Sequence, residues 1–293
     1  MTWVFFTVLA AFMQAFRNAF QKKLSVSVPV MGVTLARFLF GAPLAALYLC
    51  GLYHWGDAPA APAQLPTLFV LYAVAAALMQ IVATSLMVKV FTFNNYAIGA
   101  GLAKSEAIFA AILGVMFFAS SLTPLGWLGV LVGAVAVFLL SGLKSLRDLD
   151  GRTLIYGAGS GLSFALTSLW VREASLSLGL PFPYGAAWVL LLVLTIQTVT
   201  LLVYLALKSP ETLQKMRLQP KLVLITSIAS CVGSLGWFTA MSLQTVPLVK
   251  TLGQIEVLFT LLISVFWLKE KLKPQDLWGL ALIVLAAVLV MWA

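Results

Sequence analysis

Ten apolar runs, separated by brief polar or Pro/Gly punctuation, make up almost the whole of this chain. They lie near 2–20, 30–52, 66–88, 96–119, 124–142, 153–174, 183–207, 220–242, 247–267 and 274–292. A helix needs about 20 apolar residues to cross roughly 30 Å of hydrocarbon, and each run has that length. Only 9% of the 293 residues are charged, where a soluble domain carries about a quarter. Water is therefore not the solvent for most of the surface, and the chain is expected to be an all-α integral membrane protein with ten transmembrane helices. The first run, Trp3 to Phe20, has no cation before it and Lys22 and Lys23 after it, so it reads as a membrane helix and not as a signal peptide.

The formal charge of +9 would suggest nucleic acid in a soluble protein, but here most cations fall in short connections between apolar runs. Membrane lipids are the expected neighbours, with no nucleic-acid partner. Cys50 and Cys231 sit in or beside apolar segments with no Cys-x-x-Cys and no histidine cluster, and are read as packing residues. No Walker loop, dinucleotide glycine fingerprint or zinc-ligand spacing occurs, and the one histidine, His54, falls in a predicted loop. No metal, no cofactor and no enzymatic activity are expected.

Sliding the chain by 150 residues lays SEAIFAAI at 105–112 over IEVLFTLL at 255–262. Glu106 then meets Glu256, Phe109 meets Phe259, Pro124 meets Pro274 and Gly129 meets Gly279. Apolar matches mean little in this composition, but the chain has only nine acidic residues, so a matched intramembrane pair is informative. The expected organisation is a first five-helix repeat at 1–143, a polar linker at 144–152 and a second five-helix repeat at 153–293. Five crossings per repeat turn the second one upside down.

Loop charges test that inversion. The odd-numbered loops hold Lys22, Lys23, Lys89, Lys144, Arg147, Arg152 and further cations up to Lys273, while the even loops and termini offer only Arg172. By the positive-inside rule the odd loops and the linker are cytoplasmic, and both termini are extracytoplasmic. The expected location is the inner cell membrane, as a multi-pass protein.

With these motifs the sequence resembles the drug/metabolite transporter superfamily, specifically its EamA-type ten-helix members. Each half of such proteins ends in a Glu-Pro-apolar-Phe pattern, a long apolar run, Gly-Glu-Arg/Lys-Leu, then Pro and Gly. Here the copies read SEAIFAAILGVMFFASSLTPLGWLG at 105–129 and IEVLFTLLISVFWLKEKLKPQDLWG at 255–279. The Pro after each Glu is replaced by Ala107 and Val257, and the second acidic position survives only as Glu270, with Ser120 in the first copy. Arg37 resembles an Arg common in the second helix of these proteins. The resemblance implies two inverted repeats around a central cavity, alternating access, and often the export of amino acids or other metabolites. Familiar members have cytoplasmic termini, so the orientation read from the charges here departs from them.

A charge at the bilayer centre costs about 2.5–3.5 kcal/mol on insertion scales, so each one needs a partner or a wet cavity. Arg17, Arg37, Lys104, Glu106, Lys250 and Glu256 lie within the predicted helices. Both glutamates fall about 15 Å into theirs, near the midplane where inverted-repeat carriers keep their sites. Lys104 is two positions from Glu106 and Lys250 six from Glu256, so neither lysine faces its neighbouring glutamate and the partners must come from other helices or from substrate. Arg37 is a candidate partner for a glutamate or a substrate carboxylate. Arg17 and Lys250 are near enough to helix ends to snorkel outward. Gln14, Tyr96 and Trp237 could complete the cavity beside Asn18, Ser163 and Thr167.

The substrate-binding or coupling set is thus Glu106, Glu256, Arg37, Lys104, Lys250, Gln14, Tyr96 and Trp237. Four cations against two carboxylates favour export of a small anionic or zwitterionic metabolite, such as an amino acid, by a monomer or homodimer. The alternatives are proton-coupled efflux of cationic drugs and a non-transporting membrane scaffold whose buried charges only hold helices in register.

Overall fold

The computed structural model describes residues 1–55, 59–93, 102–140, 151–267 and 274–293. Among them, seven helical spans are long and apolar enough to cross a bilayer: Thr2–Leu24, Val30–Trp55, Thr67–Thr92, Gly151–Ser177, Tyr184–Lys208, Pro220–Leu243 and Val246–Ile263. Three more apolar helices are shorter, Glu106–Phe117, Pro124–Leu140 and Leu277–Met291. The chain is a multi-pass helical membrane protein.

The first repeat contributes α1 (Thr2–Leu24), α2 (Val30–Phe38), α3 (Gly41–Trp55), α4 (Thr67–Phe93), α5 (Glu106–Phe117) and α6 (Pro124–Leu140). The second contributes α7 (Gly151–Ser177), α8 (Tyr184–Lys208), α9 (Pro210–Arg217), α10 (Pro220–Leu243), α11 (Val246–Leu252), α12 (Glu256–Trp267) and α13 (Pro274–Met291). The expected linker at 144–152 lies outside the described residues, apart from Gly151 and Arg152, which open α7.

The single helix expected over 30–52 is broken between α2 and α3, and Pro43 explains where. A proline ring clashes with the carbonyl four residues back, here that of Leu39, and supplies no N–H. Backbone groups freed inside hydrocarbon must find protein partners. The Phe40 N–H donates to Ser227 Oγ at 2.8 Å, and the Phe38 carbonyl accepts from Thr198 Oγ1 at 2.9 Å. The kink is therefore held by α10 and α8.

The run expected as one helix over 247–267 is interrupted by a 3-10 turn at Gly253–Ile255, after which α12 begins at Glu256. A side chain at Gly253 would strike the Trp237 ring, so glycine permits the backbone to close on that indole. In the first repeat a turn at Lys104–Ser105 likewise precedes α5, which begins at Glu106. The expected continuous rise to a midplane glutamate is replaced, in both repeats, by a glutamate that opens a new twelve-residue helix. The polar loop expected at 208–221 contains α9, with Pro210 at its start, Glu211 in its first turn and Lys215 and Arg217 in its last, all placements that suit a short helix.

Packing joins the two repeats rather than separating them. α1 runs against α10 and α4 against α7, two partnerships related by exchanging the repeats. α3 likewise packs on α8, and α6 on α13. Two glycines allow close approach: a side chain at Gly129 would come within 2.7 Å of Val290, and one at Gly157 within 2.7 Å of Leu102 Cδ1.

Candidate functional site

A cavity lies between the α1/α10 pair and the α4/α7 pair. Its walls include Gln14, Arg17 and Asn18 from α1, Arg37 from α2, Gln80 and Met87 from α4, and Phe164, Thr167 and Ser168 from α7. Trp237, Phe238 and Met241 of α10 also line it, as do Lys104, Glu106 and Lys250. In this state the space between the walls is wide enough for about two water molecules.

Two lysine–glutamate pairs form the centre, and each crosses between the repeats. Lys250 Nζ is 2.7 Å from Glu106 Oε1, and Lys104 Nζ binds Glu256 Oε2. Because Glu106 and Glu256 open α5 and α12, each carboxylate also sits at the positive end of a helix dipole. Ser168 Oγ donates to Glu106 Oε1 at 3.0 Å. Glu256 accepts from Gln14 Nε2 at 2.5 Å and from Asn18 Nδ2 at 2.7 Å. It is 2% exposed and lies behind these partners, which themselves reach the cavity wall.

Trp237 ties the two pairs together. Its Nε1 donates to Gln14 Oε1 at 2.8 Å, and its ring lies 4.2 Å below the Lys250 ammonium. The order Glu106, Lys250, Trp237, Gln14, Glu256, Lys104 is thus one continuous polar chain. Lys250 faces inward to Glu106 instead of snorkelling, and so does Arg17, which is 2% exposed with its Nη2 donating to Asn18 Oδ1 at 2.9 Å. Arg17 was expected to snorkel and Lys250 was read both as a site residue and as able to snorkel; burial among polar partners turns both inward.

Arg37 is 2% exposed and forms no ion pair with a glutamate among the described residues. Its Nη1 donates to Thr84 Oγ1 at 2.6 Å, and its guanidinium lies over the rings of Phe38 and Phe164, at 5.2 and 5.6 Å. Its Nε, although buried, has no hydrogen-bond partner. Tyr96, also expected at the site, lies outside the described residues. Thr84, Gln80 and Ser168 join the site without having been expected, because a lone hydroxyl or amide in an apolar run carries no signal of direction. Met87 and Phe238 escaped notice for the reason that they resemble every other apolar position.

A model of the EamA-like transporter family matches residues 1–142 and, a second time, residues 151–292. The chain belongs to the EamA-like transporter family. The two matches divide this EamA chain into two repeats, and the family is one of drug/metabolite-type transporters rather than enzymes. A solved structure described only as "Crystal structure of protein" superposes on this EamA protein with a TM-score of 0.70 at 14% identity, covering 96% of this chain and 98% of the other, a likeness of fold. No curated protein matches the sequence.

Proposed function

We propose that this EamA-family protein is a secondary transporter that exports a small anionic or zwitterionic metabolite, such as an amino acid, across the inner membrane by alternating access. The observation that carries the reading is the state of Arg37. Both lysines of the cavity are matched by glutamates, whereas Arg37 is anchored through Nη1 to a neutral hydroxyl, with its Nε buried and unpartnered. A guanidinium held by one nitrogen keeps its side-on edge for two parallel bonds to a carboxylate. Arg17, Arg37, Lys104, Lys250 and Glu106 on the cavity wall, with Glu256 just behind it, sum to a positive balance that an anion relieves.

In this reading the carboxylate of substrate docks on Arg37 between Phe38 and Phe164, and a substrate ammonium shares Glu106 with Lys250. Export follows the family's usual direction, and loop charges favour cytoplasmic placement of the odd loops. A second reading, efflux of organic cations, draws on one observation: the Lys250 ammonium rests over Trp237 and against Glu106, a seat that suits cations generally.

A thermal-shift screen of the purified protein against amino acids, other carboxylates and organic cations tests both. Stabilisation by carboxylates that is lost in Arg37→Gln supports the first reading. Stabilisation by cations alone, lost in Glu106→Gln and kept in Arg37→Gln, replaces it with the second.

A further inference from the structure

Two polar contacts at the ends of the helices follow the same 150-residue offset as Glu106 and Glu256. Near the end of α1, Lys22 Nζ donates to the Phe91 carbonyl at 2.6 Å, in the last turn of α4. Near the end of α7, Arg172 Nη1 donates to the Met241 carbonyl at 2.5 Å and to the Gln244 carbonyl at 2.6 Å, where α10 ends. Lys22 corresponds to Arg172, and Phe91 to Met241. Both cations meet the negative end of a helix, where the final carbonyls lack helical partners.

Each contact ties the α1/α10 pair to the α4/α7 pair. Lys22 reaches from α1 to α4, and Arg172 from α7 to α10. The crossed ion pairs bridge the same division at mid-depth, from the α5 segment beside α7 to the α11–α12 segment beside α1. Taking Val30–Trp55 as one crossing, the chain leaves the membrane face at Lys22 and returns to it by Phe91. Taking Glu106–Phe117, Pro124–Leu140 and Gly151–Ser177 as three further crossings, the chain reaches the opposite face at Arg172. The two contacts therefore stand at opposite mouths of the cavity.

We propose that the Lys22–Phe91 and Arg172–Met241 contacts are the two gates of the transport cycle, released in turn to open the cavity to one side and then the other. The inference rests on the alternating-access reading and is independent of the substrate. With both contacts made and room for about two waters between the walls, the structure is the closed intermediate of that cycle. The gates are unequal. One Arg172 nitrogen binds two carbonyls where Lys22 binds one, so the Lys22 mouth opens the more readily. That is the mouth on the Lys-rich side, from which an exporter loads.

Thiol accessibility in liposomes tests this. A single reporter, Met87→Cys on the cavity wall, is placed in a Cys50→Ser, Cys231→Ser background, and a membrane-impermeant maleimide is added to one face at a time. Lys22→Met is expected to speed modification about tenfold from the Lys22 face alone, the effect of losing one charge-assisted bond. Arg172→Met, which removes two such bonds, is expected to give a larger acceleration from the opposite face alone, and Lys22→Arg or Arg172→Lys to restore slow labelling. Where a methionine variant fails to fold, Lys22→Gln or Arg172→Gln reads the same sidedness. Acceleration from both faces by either variant, or from neither face by both, overturns the proposal. Sided opening in a protein stabilised by no anion leaves the gates standing and refutes the substrate reading instead.

Discussion

Lys250 and Glu106 come from different repeats, yet they meet at 2.7 Å in the cavity wall, with the Trp237 ring against the ammonium. Lys104 and Glu256 make the reciprocal pair. Neither lysine serves the glutamate nearest to it in sequence. The reason is geometric: Lys104 lies in the turn just before Glu106, and Lys250 lies in α11, separated from Glu256 by the 3-10 turn at Gly253–Ile255.

Breaking one pair should cost far more than removing both of its members. Glu256→Gln leaves the Lys104 ammonium buried without a counter-charge, a loss of about 3–5 kcal/mol for a buried pair. The double variant Glu256→Gln, Lys104→Met should recover most of it. Thermal unfolding of the purified variants in one detergent gives the comparison, and additive losses would argue against a coupled pair.

Arg37→Lys keeps the charge but not the planar fork. It should weaken binding of a carboxylate ligand by more than about tenfold, the scale of a bond to a charged group. Thr84→Val, which frees Nη1 without removing the guanidinium, should have a smaller effect in the same direction. Titration calorimetry with the ligand found by the thermal screen reads both.

Gly161 sets the position of Glu106. A side chain there would run into the Ser105 side chain and stand 3.1 Å from the Glu106 amide nitrogen. Gly161→Val should therefore destabilise by about 1–3 kcal/mol and push the carboxylate off Lys250. Gly151→Ala is the control, since nothing lies within 4 Å of a side chain at that position, and it should be neutral or stabilising by up to about 1 kcal/mol.

Of the two hydroxyls that hold the kink between α2 and α3, Ser227 is the one that satisfies a freed backbone N–H. Ser227→Ala strands the Phe40 N–H away from water and should cost about 1–3 kcal/mol, with Ser227→Thr restoring it. Chemical or thermal denaturation measures the loss, and a neutral Ser227→Ala would mean that the amide finds another acceptor.

The helical architecture and the equivalent positions of Glu106 and Glu256 in the two repeats were legible because each rests on a property of the sequence itself, a run of apolar length or a scarce charge repeated at a fixed interval. The breaks before the two glutamates were not. Gly253 looks like any glycine in a membrane helix until Trp237 is placed against it, and that contact joins residues from two helices. For the same reason Lys250 read as a candidate for snorkelling. Its inward turn rests on Glu106 and Trp237, which come from other helices and leave no mark on the periodicity around Lys250. Arg37 was legible as a charge in need of a partner, but Thr84 as that partner was one hydroxyl among many. The interruption at Leu39 could have been read from Pro43, four residues on.

The crossed pairing also has a consequence in time. A ribosome makes Glu106 about 140 residues before Lys250, which at roughly 5–20 residues per second is an interval on the order of ten seconds. Throughout it the newly inserted amino-terminal half carries Lys104 and Glu106 in the bilayer with neither permanent counterion yet synthesised. That half must wait, shielded by the insertion machinery or by water drawn in around it, until its other half emerges to neutralise it.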